Sequence, residues 1–299
     1  MKNKLYILPF DHRGSFIKMF GFDSAHVDET ATATLSDYKH VIYEGFLMAL
    51  EQGVPSHAAA ILVDEQFGAR IQEEARERGV TRILTVEKSG QDEFDFEYGD
   101  EFGDHINKFR PEYVKVLVRY NPESDSEMNK AQVERLLRLH TFCRKEGYKF
   151  LFELLVPATP EQLALCQNSE EVYEKTMRAK LMKQAMEELQ AGGVEPDIWK
   201  LEGLESSEDM QSVAETARRD GRIEVGIVVL GRGESDTKVR VWLEAAARVP
   251  GVVGFAVGRT IFKEPLVKYH RKETTREETV RVIAQNFKQY VDLFDKAGG

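Results

Sequence analysis

The chain has 299 residues and a net charge of −10, and its hydrophobic fraction of 42% is ordinary for a globular protein. An acidic surface repels nucleic acids and anionic membranes, so we expect neither as a partner. No stretch approaches the roughly 18 apolar residues of a membrane span, and the first residues lack the pattern of a signal peptide. Two cysteines without paired-motif spacing favour a reducing, cytoplasmic location.

Short apolar runs alternate with amphipathic ones along the whole chain. The apolar runs predict eight strands, at residues 5–11, 58–64, 82–87, 114–120, 149–156, 197–203, 224–231 and 252–258. Helical periodicity predicts helices at residues 37–51, 67–78, 126–146, 160–191, 206–220, 236–248 and 274–296, and the acidic segment 90–104 predicts a long loop with a short helix. Alternating strands and helices indicate right-handed β–α–β units and a parallel sheet.

The number of strands favours closure of that sheet. We predict an α/β fold, a (β/α)8 TIM barrel that occupies residues 1–299 as a single domain, since no linker or repeat divides the chain. The pattern alone leaves a doubly wound sheet open.

The first two predicted strands end in polar residues. Asp11, His12 and Arg13 follow the first strand, and Asp64 and Glu65 follow the second. Catalytic residues of a barrel lie at the C-terminal ends of its strands, so these carboxylates are well placed to hold substrate hydroxyls. Together with the histidine they could form a metal site, but the sequence has no HxH or HExxH spacing to support one.

The fourth and fifth strands carry charges on an otherwise apolar face. Side chains alternate along a strand, so Lys115 and Arg119 share one face of the fourth strand, while Glu153 lies between leucines on the fifth. Lys115 is interpreted either as a cation next to the nucleophile described below or as a lysine that snorkels from the barrel floor. Glu153 is interpreted as a general acid and base, as a counter-ion, or as both.

The sixth strand is the most informative. Lys200 lies opposite Trp199 and Leu201, so the apolar pair faces the helices and the lysine faces the barrel interior. A buried ammonium is costly and deprotonates readily, and a neutral amine is what a Schiff-base nucleophile requires. The alternative is a lysine that only pairs with Glu202 or Glu153.

The seventh and eighth strands end in glycine–arginine pairs. Gly231 and Arg232 end one strand, and Gly258 and Arg259 end the other. The loops after these two strands commonly bind phosphate in TIM barrels, and glycine lets backbone amides approach an anion. We therefore predict a phosphate site at these four residues.

Taken in order, FDHRG, VDEQFG, VKVLVRYNP, FELLVP, DIWKLEG, VVLGRG and GFAVGRTIFKEP resemble a known family. The chain looks like the aldolase domain often fused behind 5-dehydro-2-deoxygluconokinase, and more distantly it is similar to class I tagatose-bisphosphate and sulfofructose-phosphate aldolases. The resemblance spans almost the whole chain. It departs from the family at Gly14 after DHR and at Arg232 in LGRG, both near the expected substrate.

The resemblance implies a role for each matching residue. Lys200 matches the Schiff-base lysine, Lys115 its neighbour on the fourth strand and Glu153 the carboxylate of the fifth. Asp11 and Arg13 match a substrate-binding pair. The phosphate side is matched by Gly258 and Arg259.

The implied reaction is lyase chemistry without a metal or an organic cofactor. It cleaves a phosphorylated keto sugar acid, in the inositol pathway 2-deoxy-5-keto-D-gluconate 6-phosphate, to dihydroxyacetone phosphate and malonate semialdehyde. Three alternatives stay open: a class I aldolase for another ketose phosphate, a metal-dependent barrel isomerase or aldolase, and a sugar-phosphate-binding barrel without catalysis. A small sugar phosphate is the expected partner, and a homo-oligomer is compatible with the sequence.

Overall fold

Eight parallel strands close into a barrel in a computed structural model that describes residues 4–299. Each strand pairs with its neighbour in the chain, and the eighth pairs with the first. The strands are β1 Leu5–Pro9, β2 Ala59–Val63, β3 Thr81–Thr85, β4 Tyr113–Arg119, β5 Lys149–Leu155, β6 Ile198–Glu202, β7 Gly226–Leu230 and β8 Val252–Ala256. The predicted (β/α)8 barrel is confirmed; the first three residues of the predicted domain lie outside the described part of the chain.

Helices surround the barrel and connect its strands. They are α1 Gly14–Met19, α2 Glu29–Glu51, α3 Glu65–Glu77, α4 Phe102–Phe109, α5 Ser126–Glu146, α6 Pro160–Leu165, α7 Glu170–Thr176, α8 Arg178–Ala191, α9 Ser207–Arg218, α10 Asp236–Ala247, α11 Arg259–His270 and α12 Arg276–Gly298. A short 3-10 helix, Gly99–Glu101, precedes α4. None of the helices in residues 4–299 is long and apolar enough to cross a membrane.

The predicted helix at residues 160–191 is wrong in its continuity, because the structure contains three helices there. Gln167 and Asn168 both adopt left-handed backbone angles, with φ of 57° and 56°, which end α6. Ser169 then caps α7 by accepting a hydrogen bond from the Val172 amide. The break places α7 beside the mouth of the barrel.

Alternation along the strands divides the core into two layers. The larger cluster lies between the strands and the helices and contains Trp199, Leu201 and Phe152. The smaller one fills the barrel interior and consists of Leu5, Ile7, Ala60, Leu62, Ile83, Leu151, Ile198, Val228, Val253 and Ala256. Ile198 and Leu151 belong to the interior, so Lys200 and Glu153, two residues further along β6 and β5, face the same way.

One glycine is required where the barrel closes. A Cβ added to Gly254 of β8 would lie 1.9 Å from the carbonyl oxygen of Leu5 on β1. The neighbouring atom is backbone and cannot turn aside, so only glycine lets the last strand approach the first. The closed barrel collects the C-terminal ends of all eight strands at one rim.

Candidate active site

A cavity of about 470 Å³ opens at the C-terminal ends of the strands. Seven of the predicted site residues line it: Asp11, Arg13, Lys115, Glu153, Lys200, Arg232 and Arg259. They come from the segments after β1 and β7, from β4, β5 and β6, and from the start of α11, so closure of the barrel brings distant parts of the chain together. We call this space the catalytic cavity, after the role that we propose for it below.

Lys115 and Lys200 meet at a single carboxylate oxygen. The ammonium of Lys200 lies 2.8 Å from Oε2 of Glu153, and the ammonium of Lys115 lies 3.0 Å from the same atom. Both lysines are almost wholly buried, with exposed fractions of 4% and 1%. Strand pairing places Glu153 directly beside Lys200, which explains the contact. The structure therefore brings together the three residues that the strand pattern singled out.

Lys115 has two further carboxylate partners. It donates hydrogen bonds to Asp11 at 2.9 Å and to Glu87 at 2.7 Å. Burial opposes its charge, but Asp11, Glu153 and Glu87 outweigh burial and hold the pKa of Lys115 well above its ordinary value. Lys115 is therefore a permanent cation beside Lys200.

The two sequence-predicted carboxylates of this cluster stay ionised. Burial favours their neutral forms, but the Lys115 and Lys200 ammoniums outweigh it and hold the pKa values of Asp11 and Glu153 below their ordinary range. In this resting arrangement each acid is a hydrogen-bond acceptor. A proton can reach Glu153 directly from Lys200 across their 2.8 Å contact.

Glu87 is a member of the cluster that sequence reasoning missed. It follows β3 and is 8% exposed, and its Oε2 lacks a hydrogen-bond partner among the described residues. Strand alternation could have identified it, because Glu87 lies four residues after Ile83 and therefore shares the strand face that points into the barrel interior. A carboxylate at the end of an apolar run can also be a solvent-exposed residue where the strand ends, and the sequence alone does not distinguish a buried site residue from an exposed one.

His12 lies at the cavity wall beside the cluster. Burial is the main reason why its pKa falls to about 4; Asp11 opposes the shift, while Arg259 and Lys200 add to it. Its Nδ1 is buried without a partner among the described residues. His12 is therefore a neutral imidazole at pH 7.

Only part of the predicted phosphate site lines the cavity. Arg259 begins α11 and donates a hydrogen bond to the Arg232 carbonyl at 2.6 Å. Gly258 caps α11 and packs on β1, since a Cβ there would lie 2.1 Å from the Pro9 carbonyl oxygen. Neither Gly231 nor Gly258 lies in the cavity lining. Within the predicted phosphate site, Arg259 and the partly positive N-terminus of α11 are therefore the groups best placed to bind an anion.

Asp64 does not reach the cavity. It is 1% exposed, forms an ion pair with Lys39 of α2, and accepts a hydrogen bond from the Phe67 amide at 2.9 Å, which caps α3. Its neighbour Glu65 is held by Lys108 at 2.9 Å and by other side chains outside the barrel. Both carboxylates are therefore occupied in packing helices. Within residues 4–299, the acidic, histidine and cysteine side chains form no group of three that could hold a metal ion.

The closed parallel barrel and the charged cavity at its carboxyl rim define a (β/α)8-barrel protein. Over residues 1–298 the chain matches the model of a family described as "Uncharacterized protein conserved in bacteria (DUF2090)", and it belongs to that family. No curated protein matches it.

Two solved structures are similar to the barrel. A fructose-bisphosphate aldolase from Slackia heliotrinireducens is 14% identical with a TM-score of 0.56, and the match covers 94% of this chain and 86% of that one. The protein Cgl0159 from Corynebacterium glutamicum is 17% identical with a TM-score of 0.56, and the match covers 96% of this chain and 86% of that one. At these identities the likeness shows the fold.

Proposed function

We propose that this protein is a class I aldolase in which Lys200 forms a Schiff base with a ketose phosphate. The observation that carries the proposal is the contact of Lys200 and Lys115 with one oxygen of Glu153 inside the catalytic cavity. A buried lysine next to a permanent cation and a proton acceptor has what an amine nucleophile needs. A barrel that only binds sugar phosphates has no need of such a cluster.

The proposed cleavage begins when Lys200 passes a proton to Glu153 and its neutral amine attacks the substrate ketone. Glu153 returns that proton to the departing hydroxyl group, so the carbinolamine loses water to give an iminium ion and Glu153 is a carboxylate again. A base, Glu153 or a water that it orients, then takes the proton of the hydroxyl group on the carbon that leaves as an aldehyde. The electron pair of the breaking C–C bond moves to the iminium nitrogen and leaves an enamine. Protonation of the enamine and hydrolysis release the ketone product and restore Lys200.

The substrate side of the proposal follows from the resemblance. A phosphorylated keto sugar acid, 2-deoxy-5-keto-D-gluconate 6-phosphate, is the first candidate, with dihydroxyacetone phosphate and malonate semialdehyde as products. Arg259 and the N-terminal amides of α11 would hold the phosphate, because a guanidinium and a helix N-terminus both favour an anion. Asp11 would accept a hydrogen bond from a substrate hydroxyl near Lys115.

The test of the proposal is a substrate panel with purified protein. We expect release of dihydroxyacetone phosphate from 2-deoxy-5-keto-D-gluconate 6-phosphate, unchanged by a chelator and lost in Lys200→Ala. Cleavage of only tagatose 1,6-bisphosphate or a sulfofructose phosphate would keep the mechanism and change the substrate. Activity that needs a divalent metal and survives in Lys200→Ala would contradict the proposal.

A further inference from the structure

Two of the arginines that line the catalytic cavity are already paired with carboxylates. Arg13 lies 2.8 Å from Glu97. Arg232 lies 2.9 Å from Glu174 of α7 and 3.1 Å from Glu202 of β6. A substrate anion would have to displace these acids, so neither guanidinium is free to bind one at full strength.

The other two cavity arginines have a different environment. Arg119 donates a hydrogen bond to the Gln91 carbonyl at 2.8 Å, and Arg259 donates one to the Arg232 carbonyl at 2.6 Å. Neither lies within ion-pair distance of a carboxylate in residues 4–299, and Glu153 and Asp11 act on Arg259 only from farther away. Each guanidinium is thus oriented by a neutral backbone oxygen and keeps the rest of its donors for an anion.

The barrel places these two arginines on opposite sides of the cavity. Arg119 ends β4 and Arg259 follows β8, and in a closed ring of eight strands β4 and β8 are four strands apart in either direction. Lys200 on β6 and Glu153 on β5 lie on the arc between them. A substrate whose ketone reaches Lys200 can therefore direct one end to Arg259 and the other to Arg119.

We propose that Arg119 is a specificity residue for a second anionic group, so that the cavity takes an open-chain keto compound with an anion at each end. One anion binds Arg259, and the other, a carboxylate or a second phosphate, binds Arg119. This inference rests on the proposed aldolase function and adds a residue to it. Arg119 lies on the same strand face as Lys115, and its guanidinium reaches the cavity wall next to the loop at residues 88–94.

The experiment uses the aldolase in the direction of synthesis. Dihydroxyacetone phosphate is the donor, and the acceptors are malonate semialdehyde, glyceraldehyde 3-phosphate and uncharged propanal. The new C–C bond joins the enamine carbon to the aldehyde carbon, the aldehyde oxygen gains a proton, and hydrolysis of the iminium releases the product. The readout is kcat/KM for each anionic acceptor divided by that for propanal.

The variants are Arg119→Gln, Arg119→Lys and the control Arg135→Gln. Arg135 of α5 donates to the Phe94 carbonyl at 2.9 Å and pairs with Glu93, so it supports the same loop without lining the cavity. We expect Arg119→Gln to lower the preference for an anionic acceptor about 30-fold, the loss typical of one charge-assisted hydrogen bond. Arg119→Lys should retain part of the preference and Arg135→Gln all of it. The acceptor with the larger loss identifies the group as carboxylate or phosphate.

Two results would overturn the inference while leaving the aldolase intact. One is an unchanged preference in Arg119→Gln, and the other is an equal loss in Arg135→Gln, which would assign the effect to the loop. Borohydride trapping of dihydroxyacetone phosphate on Lys200 is measured in parallel for every variant. A missing adduct in the wild-type protein would overturn the proposed function, and this inference with it.

Discussion

Lys115 and Lys200 share one carboxylate oxygen but have different surroundings. Lys115 contacts Asp11, Glu87 and Glu153, and these acids hold its pKa well above the ordinary value. Among the described residues, Lys200 forms its one ion pair with Glu153. A lysine held by three acids is a poor nucleophile, whereas a lysine with one acceptor can release its proton to it. The division of roles that we propose for the two buried lysines rests on this difference in the carboxylates around each.

The shifted pKa of one side chain, His12, makes the free energy of unfolding depend on pH. Its pKa falls from 6.5 to about 4 in the folded protein. Between these values the unfolded chain binds a proton that the folded chain excludes, so the free energy of unfolding decreases as the pH falls below 6.5. For a drop from pH 7 to pH 5 this amounts to about 1–2 kcal/mol.

Urea unfolding of the wild-type protein and of His12→Gln at both pH values measures this contribution. We expect the wild-type protein to lose about 1–2 kcal/mol more than the variant on acidification. The acids of the cluster titrate in both proteins, so the difference between the two isolates the imidazole. Equal losses would mean that His12 is protonated in the folded state above pH 5.

Strand alternation predicted the centre of the site but not its whole boundary. Lys115, Glu153 and Lys200 stand out because each is a lone charge inside an apolar run. Glu87 lies where a strand ends, and charges there are common for reasons of solvation alone. The arginine at the end of the fourth strand shares the face of Lys115, but its lack of a carboxylate partner is visible only in three dimensions.

Among the secondary-structure elements, the side chain of Asp64 links the end of one strand to two helices. It follows β2, caps α3 and pairs with Lys39 of α2, which has no exposed surface. The sequence predicted Asp64 as a substrate-binding residue at the end of the second strand, whereas its ion pair with a residue 25 positions away leaves no trace in local periodicity. Its carboxylate is part of the packing of α2 against α3.

Asp64→Asn tests this structural role. Asparagine keeps an oxygen for the cap but removes the carboxylate partner of Lys39, which is left with the His12 carbonyl at 3.0 Å. Burial already lowers the pKa of Lys39, so it can release its proton, and we expect a loss of up to about 3–5 kcal/mol in the free energy of unfolding. The KM of the folded variant should change less than about twofold, because Asp64 does not line the cavity. Denaturant unfolding and steady-state kinetics measure the two quantities.

The matched control is Asp28→Asn at the start of α2. Asp28 caps its helix through the Ala31 amide at 2.7 Å and has no buried lysine as a partner, so the change should cost less than about 1 kcal/mol. Adding Lys39→Met to Asp64→Asn should recover part of the lost stability by removing the unpaired charge. A large rise in KM without loss of stability in Asp64→Asn would contradict this structural role and show that Asp64 takes part in substrate binding.

For the whole molecule, the sequence pattern predicted the barrel fold, and the cavity at its carboxyl rim is lined by most of the predicted site residues. Eight apolar runs that alternate with helices leave few topologies, and their number favours closure, but the pairing of β8 with β1 that excludes a doubly wound sheet is seen only in the structure. The sequence pattern did not predict contacts between loops that are far apart along the chain. Arg232 pairs with Glu174, 58 residues earlier in the chain, because the break before α7 brings that helix to the cavity mouth. The sequence had predicted one continuous helix there.

Borohydride trapping tests most directly whether Lys200 is the Schiff-base lysine. The protein is incubated with dihydroxyacetone phosphate, reduced, digested and mapped by mass spectrometry, with Lys200→Ala and Lys115→Met as controls. We predict a reduced adduct on the Lys200 peptide that is absent in Lys200→Ala and still attached to Lys200, though formed more slowly, in Lys115→Met. An adduct on Lys115, or none with any ketose phosphate that the protein binds, would contradict the account.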